Sequence, residues 1–119
     1  FPKDTWDQAK VMEWMCFEQY SHEPFVAVAK FILSMLPEDS ERRSEIPTLH
    51  EKGYMALEVM EQHLIENMWL VGTHMTVADI ALYAYTHKAP LGGFDMSRFP
   101  AINKWCKQIE DTPNYMKMF

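Results

Sequence analysis

The sequence predicts an all-α orthogonal bundle of roughly five to six helices, organised as one domain over residues 1–119. Three observations predict it. No stretch alternates apolar and polar residues with the period of a half-buried strand, whereas apolar residues recur at spacings of three and four along most of the chain. Helix-start signals stand ahead of several of these periodic segments. The hydrophobic fraction of 48% and aromatic fraction of 13% suit a packed core rather than a disordered chain.

The first helix is expected to open at Thr5-Trp6-Asp7-Gln8, read as a capping box with Thr5 at N-cap and Gln8 at N3. Trp6, Ala9, Met12 and Cys16 then form a stripe, widened by Val11, Trp14, Met15 and Phe17. Pro24 lacks a backbone donor and biases Glu23 away from helix, so a break or kink is expected near Ser21–Pro24. The run Phe25–Leu36 is apolar except for Lys30 and Ser34 and reads as a buried continuation. Pro37–Ser44 is a polar connector.

A third helical stretch should run from near Pro47 to about Asn67. Ile46, Leu49, Gly53, Leu57, Met60 and Leu64 trace its inner face, and Glu51, Lys52, Glu58, Glu61, Gln62 and Glu66 its outer face. Gly53 in mid-helix costs about 1 kcal/mol relative to alanine, which close approach of a neighbouring helix is expected to offset. Gly72 stops the chain before the apolar segment that begins at Met75. Pro90-Leu91-Gly92-Gly93 reads as a loop. Pro100 suits the first turn of a helix whose inner face carries Ile102, Trp105, Cys106 and Ile109. Pro113 would start a last short helix, Asn114 to Phe119.

WLVGTHMTVADIALYAYTHKA, residues 69–89, is apolar almost all round and yet carries Asp79. With Thr76 at N-cap, Asp79 falls at N3. The Thr76 hydroxyl can accept from the Asp79 amide while the carboxylate reaches back to the Thr76 amide. Met75 at N′ and Ile80 at N4 can close a hydrophobic staple over this box. The carboxylate also lies at the positive end of the helix dipole. These residues are therefore read as structural, with a catalytic acid as the competing reading.

The formal net charge of -6 and the lack of any Lys/Arg-rich run disfavour nucleic acid and acidic membrane surfaces as partners. FVAVAKFILSML is too short to span a membrane and contains a lysine. Cys16 and Cys106 are far apart in sequence and read as buried thiols, compatible with a reducing cytoplasm. The five histidines (22, 50, 63, 74 and 87) include no pair at i, i+4 and no H-E-x-x-H, so no metal site is expected. Ten methionines read as gap fillers between helices.

WLVG followed by THMTVADIALYAY resembles the signature of the C-terminal helical domain of bacterial-type glutathione transferases, which carries S/T-x-x-D at the start of a buried central helix. VMEWMCFEQYSHEPFVAVAKF looks like the long first helix of that domain. LHEKGYMALEVMEQHLIEN looks like its partner helix, and FPAINKWCKQIEDTPNYMKMF like its usual ending. The resemblance covers nearly the whole chain.

The resemblance implies a thioredoxin-like N-terminal domain ahead of these helices, which binds glutathione as cosubstrate and supplies the Tyr, Ser or Cys at the thiolate. The chain opens on Phe1 rather than a methionine, so it is expected to be part of a longer protein. The helical half would then form the wall of a pocket for small apolar electrophiles and part of a homodimer interface. Cys16, Tyr20, His22 and Phe25, around the expected break, would be substrate-binding. Tyr20 or His22 would donate a hydrogen bond and Phe25 would give apolar contact. The bland reading makes Cys16 and Phe25 core and His22 a surface residue at a kink.

No catalytic residue is expected in the chain itself. A free thiol has a pKa of about 8.5, and each unit of lowering needs about 1.4 kcal/mol of thiolate stabilisation, which no residue set here supplies. The chain alone is therefore expected to be inactive. The alternatives are a non-catalytic transferase-like protein-interaction module and a ligand-holding helical domain.

Overall fold

The computed structural model describes residues 2–112, which form an all-helical bundle with no strand among them. Five α-helices appear in order: α1 (Thr5–Phe17), α2 (Glu23–Met35), α3 (Ile46–Glu66), α4 (Val77–Thr86) and α5 (Pro100–Glu110). Short 3-10 turns lie at Glu41–Glu45 between α2 and α3, and at Ala89–Gly92 and Met96–Arg98 between α4 and α5. The expected loop at Pro90–Gly93 is thus largely a 3-10 turn. The expected last helix, Asn114 to Phe119, lies outside the described residues.

The predicted break near Ser21–Pro24 is a π-turn, Glu18–His22, so α1 and α2 make one continuous rod. Pro24 has no N–H to continue the i to i−4 ladder. Widening the preceding turn lets the Glu23 amide bond to the Glu18 carbonyl five residues back. The helix thereby passes the proline without ending.

The start of α1 also differs from expectation. Asp4, not Thr5, is the N-cap, and its side chain accepts from the Asp7 amide at 3.2 Å. The Gln8 side-chain amide donates to the Pro2 carbonyl at 2.9 Å instead of closing a box. The stripe expected to be buried faces out: Trp6 is 68% and Met12 55% exposed, and Ala9 and Cys16 are exposed as well. Val11 is the buried residue of α1, and Trp14, Met15 and Phe17 pack on the core beside it.

The core sits where α2, α3, α4 and α5 meet: Val26, Ala29 and Ile32, then Leu57, Met60 and Leu64, then Ala78, Leu82 and Tyr83, then Ile102, Trp105 and Ile109. Full burial of such a side chain contributes about 1.5–3 kcal/mol. On α3 the inner face is the predicted one, with Leu49, Gly53, Leu57, Met60 and Leu64 buried. The close approach at Gly53 comes from a loop residue rather than a helix, because a Cβ there would fall 2.6 Å from Phe94 Cε1.

The segment carrying Phe94 is strapped to α3. His50 Nε2 lies 2.7 Å from the Gly92 carbonyl oxygen, and the Asp95 amide donates to the Tyr54 hydroxyl at 2.7 Å. Arg98 lies over the Tyr54 ring, 4.3 Å from its centroid. Between α3 and α4 the chain turns at Gly72, whose φ of 63° is a left-handed conformation that glycine adopts without strain.

Candidate functional site

Two places in the bundle combine polar groups with burial or exposed apolar surface: the N-terminus of α4, and the rod formed by α1, the π-turn and α2.

At the first, Thr76 is the N-cap of α4, and its side chain accepts from the Ala78 amide at 3.2 Å. The Asp79 carboxylate is fully buried and takes hydrogen bonds from three segments. Oδ2 accepts from the Thr76 amide at 2.9 Å, and Oδ1 accepts from the Leu70 amide at 3.0 Å and the Trp105 indole Nε1 at 2.8 Å. Together these tie the 70s loop, the start of α4 and the middle of α5 to one side chain. The carboxylate is thereby turned entirely inward, with protein donors on both oxygens. Met75 packs against the core, whereas Ile80 is 46% exposed and stands outside it.

A second buried carboxylate does the same work for α5. Glu61, expected on the outer face of α3, is buried, and its two oxygens accept from the Ala101 amide at 3.0 Å and the Ile102 amide at 2.9 Å. Those are orphan donors of the first turn of α5, behind Pro100. Phe99, at the N-cap position, makes no side-chain cap of its own. The cap comes from another helix.

At the rod, the four residues expected to bind substrate do not converge. Tyr20 is 79% exposed, and Cys16 is exposed, contrary to its reading as a buried thiol. They share the outer surface with Trp6 and Met12. His22 points the other way. It is completely buried, neither at the surface nor able to reach a substrate, and its Nε2 lies 2.8 Å from the Thr86 hydroxyl on α4. Burial lowers its pKa to about 4. Phe25 packs half-buried against the core.

Glu18, at the start of the π-turn, is buried as well. It accepts from the Gln19 side-chain amide at 2.7 Å. Burial raises its pKa, the Gln19 bond offsets part of this, and the nearby Glu23 charge adds to the rise.

Cys106 offers no nucleophile, because burial and the Glu110 charge push its thiol up to about 12. Among the described residues no group of three His, Cys, Asp or Glu side chains is placed to hold a metal ion. No described helix is long and apolar enough to cross a membrane. A groove of about 450 Å³ is walled by α2, Arg42 and Tyr85, with Phe31 and Met35 on its rim, and none of Cys16, Tyr20, His22 or Phe25 lines it.

The described residues thus form an all-α bundle whose buried fourth helix is box-capped and pinned to the fifth. A family model described as glutathione S-transferase, C-terminal domain, matches residues 25–113. The chain belongs to that family. It is 49% identical to a glutathione S-transferase from Pseudomonas fluorescens Pf-5, with a TM-score of 0.94, covering 100% of this chain and 59% of that one. A glutathione S-transferase from Xanthobacter autotrophicus Py2 is 39% identical with a TM-score of 0.93, covering 99% of this chain and 57% of that one. Among curated proteins, the glutathione S-transferase-like protein LUC7 of a Fusarium species is 26% identical over 98% of this chain and 54% of its own. The chain spans about half the length of the curated relatives it matches.

Proposed function

We propose that this chain is the helical half of a glutathione transferase, and that the outer surface of α1 forms the wall of its electrophile pocket and part of a homodimer interface. The observation that carries this reading is the apolar stripe Trp6, Met12, Cys16 and Tyr20, which the described residues leave exposed. A thioredoxin-like domain ahead of it would bind glutathione and stabilise the thiolate. A small apolar electrophile would then lie between that domain and α1, with the Tyr20 hydroxyl as the hydrogen-bonding group and Cys16 and Met12 as apolar contacts. His22 and Phe25 would act from behind, by shaping the rod.

Reaction would place the glutathione thiolate against the electrophile, with the new carbon–sulfur bond formed as the leaving group departs or as the proton is returned. This chain contributes shape and exclusion of water, which strengthens the electrostatics of the thiolate site. The same architecture with a reducible substrate would use glutathione as reductant.

The test is turnover of a chromogenic electrophile by the protein with and without the sequence encoded ahead of Phe1. The expected result is glutathione-dependent conjugation by the longer protein, its loss in the isolated chain, and a changed KM in Tyr20→Ala of the longer protein. Conjugation by the isolated chain above the chemical background would overturn the half-enzyme reading. An upstream sequence without strand–helix alternation would favour the protein-interaction module.

A further inference from the structure

Among the five histidines, only His22 is fully buried. Its ring joins the π-turn to α4 across 64 residues of sequence through one contact, Nε2 to Thr86 Oγ1 at 2.8 Å. Thr86 Oγ1 also lies 4.0 Å from Met60 Sδ on α3, an acceptor that lets the hydroxyl donate there while it accepts from Nε2–H. Nδ1, on the far side of the ring, has no hydrogen-bond partner. The Phe17 ring stands beside the imidazole on the same rod, with centroids 6.5 Å apart.

We propose that the His22–Thr86 contact is an acid-released latch, in which protonation of the imidazole expels it from between α1 and α4 and frees the π-turn while α3 and α5 stay packed.

A second ring proton would sit on Nδ1, buried and without an acceptor, on a cation taken out of water. Such a group leaves the interior rather than charge inside it. The surroundings offer the cation nothing. From α4 the neighbour is the neutral Thr86 hydroxyl, and beyond it from α3 the Met60 thioether. His63 of α3 stands edge-on to Trp14, 5.1 Å between centroids. Of the other ionisable groups on the rod here, Glu18 of the turn is engaged by Gln19, Tyr20 of the turn is exposed, and Glu23 opens α2, and burial alone accounts for the shift of His22.

The exit is short. The π-turn already departs from the α ladder, so its hydrogen bonds hold the local backbone less firmly than a regular helix would. The packing of α5 against α3 and α4 is pinned independently by the Glu61 and Asp79 carboxylates.

His22 is lowered from 6.5 to about 4, so the latch contributes its full stability above pH 6.5 and loses it as the pH falls toward about 4. Within that window the open-to-closed ratio rises about tenfold per pH unit.

The experiment is NMR of the full chain between pH 7 and 3.5, reading the histidine rings together with amide exchange. The expected result is a His22 ring signal that stays flat through pH 6.5. Between pH 6.5 and about 4, the protection factors of α1 and π-turn amides, corrected for the intrinsic pH dependence of exchange, should fall about tenfold per unit, and core amides of α3 and α5 should hold theirs. In His22→Gln the pH dependence of opening should vanish. If that variant does not fold, Thr86→Val keeps the imidazole and removes its partner, and the molecule should then open more at pH 7 with the slope intact. A His22 ring that titrates near 6.5 in the folded protein, an unchanged slope in His22→Gln, or loss of protection everywhere at once would each overturn the latch.

Discussion

Asp79 and His22 are both buried polar side chains that cross-link helices, yet they are built to opposite standards. The Asp79 carboxylate accepts from two backbone amides and an indole, all within 3.0 Å. The His22 imidazole has one partner and one bare nitrogen. A buried polar group with every site filled makes a rigid anchor, because each of its donors would be stranded if it moved. One with a site left over is the place where the same interior yields when conditions change. The end of the bundle around α4 and α5 is therefore the fixed part, and the rod that carries the outer stripe is the adjustable one.

The largest expected effect breaks the anchor. Asp79→Ala strands the buried Leu70 amide and Trp105 indole and the part-buried Thr76 amide, at about 1–3 kcal/mol for each where burial is complete, so a total loss of at least about 3 kcal/mol is expected in urea denaturation. A loss under about 1 kcal/mol would mean that the three segments are held by packing alone. Next comes Glu61→Ala, which uncaps the first turn of α5 and should cost about 2–4 kcal/mol, with faster amide exchange at Ala101 and Ile102 as the local signature. Thr76→Ala removes a hydroxyl cap and leaves the Asp79 bonds in place, so about 1 kcal/mol is expected in the same denaturation series. The smallest effect sharpens the contrast from the other side. Tyr20→Ala on the exposed rod should change the chain's stability by no more than about 0.5 kcal/mol, so any effect on turnover in the longer protein reads binding rather than folding.

Much of the fold was legible in the sequence because its strongest signals are local. The period of α3, the box at Thr76 and Asp79 and the face of α5 all lie within a few turns of chain. What was not legible depends on residues far apart. Glu61 reads as solvent-facing because it is charged, and its partners, the Ala101 and Ile102 amides, lie 40 residues on. Trp105 reads as plain core, although its indole N–H answers Asp79.

The candidate site was harder still, because α1 carries two competing stripes. The more apolar one, through Trp6, Met12 and Cys16, faces out, while Glu18 and His22 of the π-turn point inward. Periodicity finds a stripe but cannot say which side another element will cover. That is why Cys16 and Tyr20 proved accessible and His22 did not.

The wide turn at Glu18–His22 also acts as a spacer of one residue in an otherwise regular rod. An α-helix advances about 100° per residue, so the spacer sets the angular phase of α1 against α2. Deleting a single residue from the turn would close the spacer and leave Pro24 without the widened turn that accommodates it. It would also rotate Trp6, Met12 and Cys16 about a quarter-turn around the axis, with Val11 carried away from its seat beneath them.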